Sequence, residues 1–90
     1  MELYKYEDKY VKIKSTSGKI YIGFVDIYTH ELDDPDGRES IDIIPYNIPN
    51  WQPRNLLGLY ENEISSIEII EPIEIMIYPK TYQPQAVALT

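Results

Sequence analysis

The 90-residue chain has no cysteine, one histidine, one tryptophan and only four glycines. Without thiols there is neither a disulfide framework nor a thiolate metal site, and a lone imidazole at His30 cannot build a zinc site within one chain. Bases are scarce: eight lysines and arginines face fifteen acids, for a net charge of −7. Such a balance repels phosphate, so nucleic acid is disfavoured as a partner without being forbidden. No run approaches the roughly 20 apolar residues of a membrane span. The opening Met1-Glu2-Leu3-Tyr4-Lys5 lacks the apolar stretch of a secretory signal. A cytoplasmic protein without membrane contact is therefore expected. Internal repeats, low-complexity tracts and helices of ordinary length are missing too.

The chain also lacks a constellation for catalysis. Acid-base or nucleophilic work needs a positioned pair, and no serine has a recognisable base or oxyanion motif beside it. No enzyme activity, cofactor or metal is expected. The acidic stretch Glu31-Leu32-Asp33-Asp34-Pro35-Asp36-Gly37 invites a calcium reading. An EF-hand alignment on Gly37, however, places Leu32 at the first ligand position and Ile43 at the last, where oxygens are needed. A solvated turn that discourages edge-to-edge aggregation is the reading that remains.

What the chain does have is alternation. Ninety residues make one domain with a thin core, burying about 60 to 65% of the surface the unfolded chain exposes. Val11 and Ile13 alternate with Tyr10, Lys12 and Lys14, predicting a half-buried strand, and residues 15–18 read as a turn. The stretch from Gly18 to Leu32 predicts a long second strand. Tyr21, Gly23, Val25 and Ile27 fall on one face and Ile20, Ile22, Phe24 and Tyr28 on the other, with a bend at Gly23 that lets it serve two sheets of a small barrel. Residues 40–44, 56–60 and 64–70 read as three more strands, with a tight or 3₁₀ turn at 61–63. Residues 1–9 suggest one helical turn or a loose lead-in. Residues 45–55, with three prolines, three asparagines and Trp51, fit neither strand nor helix. After Pro72, Ile73, Ile75 and Ile77 alternate with Glu74, Met76 and Tyr78, predicting a sixth strand or an extended assembly arm, followed by a flexible tail. The expected organisation is a barrel over residues 1–71 and an arm and tail over 72–90.

Five short strands around a long, glycine-bent second strand resemble the Sm-like (LSM) family of small β-barrels. Gly18, Tyr21, Gly23 and Val25 stand at the spacing of that family's first motif. Leu57 and Leu59, then Ile64 and Ile67, echo the second. The resemblance spans residues 8–71 and extends to small bacterial proteins with a similar barrel and an acidic middle loop. It implies an all-β, strongly bent five-stranded barrel of the Sm-like or SH3-like kind, here with an extra C-terminal strand or arm. The family's RNA-binding residues do not carry over: its loop aspartate and asparagine fall near His30 and Asp33 or Asp34. Its arginine-glycine pair falls on Tyr60 and Glu61, which removes the cation that would meet phosphate.

Two surfaces stand out as candidates. Tyr46, Trp51 and Tyr60, braced by Pro45, Pro49 and Pro53, suit a protein-interaction surface with an aromatic anchor, as SH3 domains use for proline-rich peptides. The signature alanine-leucine-tyrosine-aspartate-tyrosine of those domains is absent, and the alternative is that Trp51 plugs an open end of the barrel. Lys9, Lys12, Lys14 and Lys19, interleaved with Tyr10 and Tyr21, form a possible basic strip for single-stranded RNA. The charge is unevenly spread: residues 1–30 sum to +1 and residues 31–90 to −8. The leading expectation is a protein-interaction or assembly module, a homo-oligomer or a binder of another protein; the alternative is an Sm-like RNA-binding protein using the lysine strip.

Overall fold

The computed structural model describes residues 2–52 and 54–72; the expectations for Ile73, Ile75, Ile77 and the tail lie outside the described residues. The architecture is all-β. Five antiparallel strands, β1 (Tyr10–Ser15), β2 (Ile20–Thr29), β3 (Ser40–Pro45), β4 (Leu57–Tyr60) and β5 (Ile64–Ile69), form one sheet in the order β4-β3-β2-β1-β5. Strand β4 pairs with β3 and β5 with β1. The two are not paired with each other among the described residues, so the sheet does not close into a barrel. Among those residues no helix is long and apolar enough to cross a membrane.

Local chemistry sets the element ends. At the β1–β2 turn Gly18 adopts φ +88°, a left-handed conformation that glycine takes without penalty. The Ser15 N–H donates to the Lys19 carbonyl at 2.8 Å, and the Lys19 N–H donates back to Ser15 Oγ at 3.1 Å. Strand β2 ends at Thr29 rather than running on to Leu32. His30 caps the 3₁₀ turn Glu31–Asp33, its Nδ1 accepting the Leu32 N–H at 3.1 Å, which withdraws that donor from any ladder. A further 3₁₀ turn, Glu61–Glu63, joins β4 to β5, and the lead-in forms another at Leu3–Tyr6.

The core lies on one face. Val11 and Ile13 of β1, Tyr21 and Val25 of β2, Ile41 and Ile43 of β3, Leu59 of β4 and Ile64 of β5 are buried there, with Leu3 brought in by the N-terminal turn. On β2 the expected alternation needs one correction. The β2–β3 register shifts between Val25 and Ile27, so Asp26 is an extra residue and the alternation inverts after it. Ile27 is consequently 42% exposed, while Tyr28 packs against the core.

Gly23 lies upstream of that irregularity, at a point of close backbone approach. A Cβ there would run into the carbonyl oxygen of Ile44 and stand 3.1 Å from the Pro45 Cα. The glycine is what lets β3 lie against β2, and the change of register belongs to Asp26.

Candidate functional site

Strand β3 has polar and aromatic side chains gathered at both ends. At its C-terminal end, Pro45 pairs with Gly23, and the next backbone N–H, from Tyr46, donates to the Ile22 carbonyl at 2.6 Å. The ladder then continues through a side chain. Asn47, 3% exposed, accepts the Ile22 N–H on Oδ1 at 3.0 Å and donates from Nδ2 to the Ile20 carbonyl at 2.9 Å. Its amide thus supplies the donor and acceptor that a further strand residue would have supplied. The chain is free to turn away there, sending Ile48 against the core.

Tyr46 leaves this junction on the opposite face of the sheet. Its ring stacks on Tyr10 (centroids 6.3 Å apart), which meets Phe24 of β2 at 5.1 Å. The three rings form an aromatic cluster in which Tyr10 of β1 meets both Phe24 of β2 and Tyr46 just beyond β3, with Tyr46 41% exposed. Burial, then the neighbouring Tyr10, pushes the Tyr46 phenol up from its ordinary range.

Trp51 sits in the following loop, half-buried. Its indole N–H donates to the Asn55 carbonyl at 2.9 Å, so its polar group serves the loop's own shape. Among the described residues of this loop, Ile48 rather than Trp51 joins the core.

Tyr60 lies at the other end of β3, opposite Ser40. The three aromatic candidates therefore do not form one cluster: Tyr46 and Tyr60 flank opposite ends of the same strand. The Arg38 guanidinium lies 3.6 Å from the Tyr60 ring centroid and also pairs with Asp36 at 3.1 Å.

An open groove of about 430 Å³ lies beside Tyr60 and brings together His30, Glu31, Glu39 and Glu61. The loop after β2 and the turn before β5, the two places to which the Sm-like resemblance assigns RNA contacts, do converge. They bring three carboxylates and one guanidinium, that of Arg38.

Glu39 is a clip. It accepts the Tyr28 hydroxyl at 2.6 Å on one oxygen and the Leu3 backbone N–H at 3.0 Å on the other, tying the N-terminal 3₁₀ turn to β2 and β3. Partial burial opposes its ionisation, but hydrogen bonds from Tyr28, Leu3 and Glu61, together with the N-terminal charge, hold the carboxyl below its usual value. The same bond, assisted by burial and the negative charge, pushes the Tyr28 phenol up to about 12.

The acidic loop is organised around Asp34. One of its carboxylate oxygens accepts the N–H groups of Asp36 (3.0 Å) and Arg38 (2.9 Å). This is local turn chemistry of the kind Asx residues perform.

The lysines are spread along β1. Lys12 and Lys14 stand on its outer face, opposite Glu68 and Ser66 of β5, and line a groove of about 300 Å³ with them. Lys9 precedes the strand and Lys19 follows the turn. The strip thus runs the length of β1 with a carboxylate from β5 set against its middle.

Sequence reading missed Asn47 and Glu39, the residues with the best-defined geometry. The signal for Asn47 was a polar amide two residues after the proline that ends β3, and that for Glu39 was an acid at the last position before β3. Neither specifies a partner about 25 or 36 residues away. Compared with known proteins, the chain matches no family model, no curated protein and no solved structure.

Proposed function

We propose that the chain is a non-enzymatic protein, its open five-stranded sheet of the Sm-like or SH3-like kind, that serves as a protein-interaction or assembly module. The observation that carries this reading is the pair of sheet edges, β4 and β5, which end the ladder without pairing to one another. Unpaired edges offer backbone donors and acceptors to another chain. In Sm-like proteins the fourth strand of one subunit meets the fifth of the next, and the resemblance implies the same contact here. Leu57 favours such pairing, while Glu61, Glu63 and Glu68 oppose it and so limit it to a closed or well-matched partner. Tyr46 and the Trp51 loop extend the available surface at one end of β3.

The groove supports this reading over an Sm-like RNA-binding one, because Glu31, Glu39 and Glu61 outnumber its one arginine, Arg38, which is paired with Asp36 and set over the Tyr60 ring. Sedimentation of the full chain over a range of concentrations tests the proposal. The expected outcome is a species larger than the monomer, reduced by Ile69→Lys, which puts a charge on the 54%-exposed edge residue of β5. A monomer at every concentration would overturn self-assembly. Single-stranded RNA binding with a steep salt slope would instead favour the strip of Lys9, Lys12, Lys14 and Lys19.

A further inference from the structure

The N-terminal turn is fastened to the sheet at two places of different chemistry. Downstream the fastening is backbone: the Asp8 N–H donates to the Val25 carbonyl at 2.9 Å, and the Val25 N–H donates to the Lys9 carbonyl at 3.0 Å. Asp8 itself takes φ +62°, a left-handed conformation uncommon for a residue with a side chain, so the chain turns a corner there. Upstream the fastening is a side chain. Leu3 is buried in the core, and its N–H donates to one Glu39 oxygen at 3.0 Å while the Tyr28 hydroxyl donates to the other at 2.6 Å. The Tyr4 ring meets the Tyr28 ring edge-on, with centroids 6.4 Å apart. Within the turn, the Lys5 N–H reaches the Glu2 carbonyl at 3.2 Å and the Glu7 N–H the Tyr4 carbonyl at 3.4 Å. A single 3₁₀ turn of this length does not persist by itself in water, so it keeps its place through Leu3 and Glu39.

We propose that residues 2–7 are an acid-released strap: when Glu39 takes up a proton, the strap swings out about Asp8 and withdraws Leu3 from the core, with the five strands still paired. A protonated carboxyl has a hydrogen of its own to place and no longer accepts from both Leu3 and Tyr28 at full strength. The backbone bonds at Asp8 and Lys9 and those of the strand ladder have no titrating member. The charged and titratable groups that face Glu39 are Tyr28 on β2, Glu61 on the turn before β5, Glu31, His30 and Arg38 around the groove, and the N-terminal charge. On the strap, Glu2 is exposed and paired with Lys5 at 3.0 Å. The closed strap holds the Glu39 carboxyl below its usual value, so closure is favoured above the ordinary carboxylate value of roughly 4.3 and weakens as pH falls through the folded one. Between those values the open-to-closed ratio rises by up to about tenfold per pH unit, the limit for one proton. Opening uncovers the place of Leu3 beside the groove that Glu39 also lines. The inference does not rest on the assembly reading, which concerns the β4 and β5 edges.

A magnetic-resonance titration of the isotope-labelled full chain from neutral pH into acid tests this. The expected result is that the Leu3 amide and methyl signals move toward their unfolded positions as pH falls below roughly 4.3, while the methyls of Val11, Ile13 and Ile41 keep their folded positions. Glu39→Gln keeps one carbonyl oxygen as an acceptor, and its Leu3 signals should be shifted already at neutral pH and stay there in acid. Glu61→Gln should retain the Leu3 transition. Core methyls moving in step with Leu3 would mean global unfolding in place of a strap and overturn the proposal. Leu3 signals that ignore pH would also overturn it, as would a transition that survives in Glu39→Gln or disappears in Glu61→Gln, either of which puts the proton elsewhere.

Discussion

The two ends of β3 solve one problem by different means. At each, a polar loop meets a strand whose backbone groups must be satisfied as the chain turns away. At the Pro45 end the fastening is a neutral amide, Asn47, buried and bonded on both sides to β2. At the Ser40 end it is a carboxylate, Glu39, held by a phenol and a backbone N–H in a partly exposed setting. An amide has the same hydrogen-bonding capacity at any pH, whereas a carboxylate accepts from both partners only while ionised. One end of the strand is therefore insensitive to acid and the other is not.

The largest effect is expected next to the amide end. Gly23→Val places a side chain against the Ile44 carbonyl, and backbone cannot swing aside as a flexible side chain would. A loss of about 3 kcal/mol or more is expected in denaturant unfolding. A loss below about 0.5 kcal/mol, the size of an ordinary surface change, would mean that β3 does not need this close approach.

Asn47→Ala should come next, at about 1 to 3 kcal/mol, because it strands the Ile22 N–H and the Ile20 carbonyl at a buried site. The comparison is sharpened by repeating the measurement from pH 7 to pH 3: the Asn47→Ala loss should stay constant. A loss that shrinks in acid would erase the distinction between the two ends.

Glu39→Gln should cost less, about 1 kcal/mol at neutral pH, and its cost should depend on pH. The Glu39 pKa is lowered in the folded state, so its contribution is present above the unfolded value of roughly 4.3 and is lost as pH falls through the folded value. Tyr28 runs the other way. Its raised pKa gives a contribution that is complete below about pH 10 and is lost as pH rises toward about 12. An absorbance titration of the phenols should find Tyr28 ionising late in the unmodified protein and nearer to 10 in Glu39→Gln; no change in that titration would show that the carboxylate does not hold the phenol.

The sequence by itself determined the strands and most of the inward face. Alternation is a local property, and Val11, Ile13, Tyr21, Val25, Ile41, Ile43 and Leu59 all occupy the side that a period of two assigns to them. It also set the turn at Gly18 and the 3₁₀ turn at Glu61–Glu63, where residue chemistry and short spacing leave few conformations. Tertiary structure decided the rest. The extra residue at Asp26, which exchanges Ile27 for Tyr28 in the core, follows from how β2 must meet β3 and leaves no mark on β2 alone. Asn47 and Glu39 read as ordinary loop residues until folding brings β2, Tyr28 and Leu3 beside them. A side chain's partner is fixed by what the fold places within about 3 Å of it, and that distance is set by strands far apart in the chain.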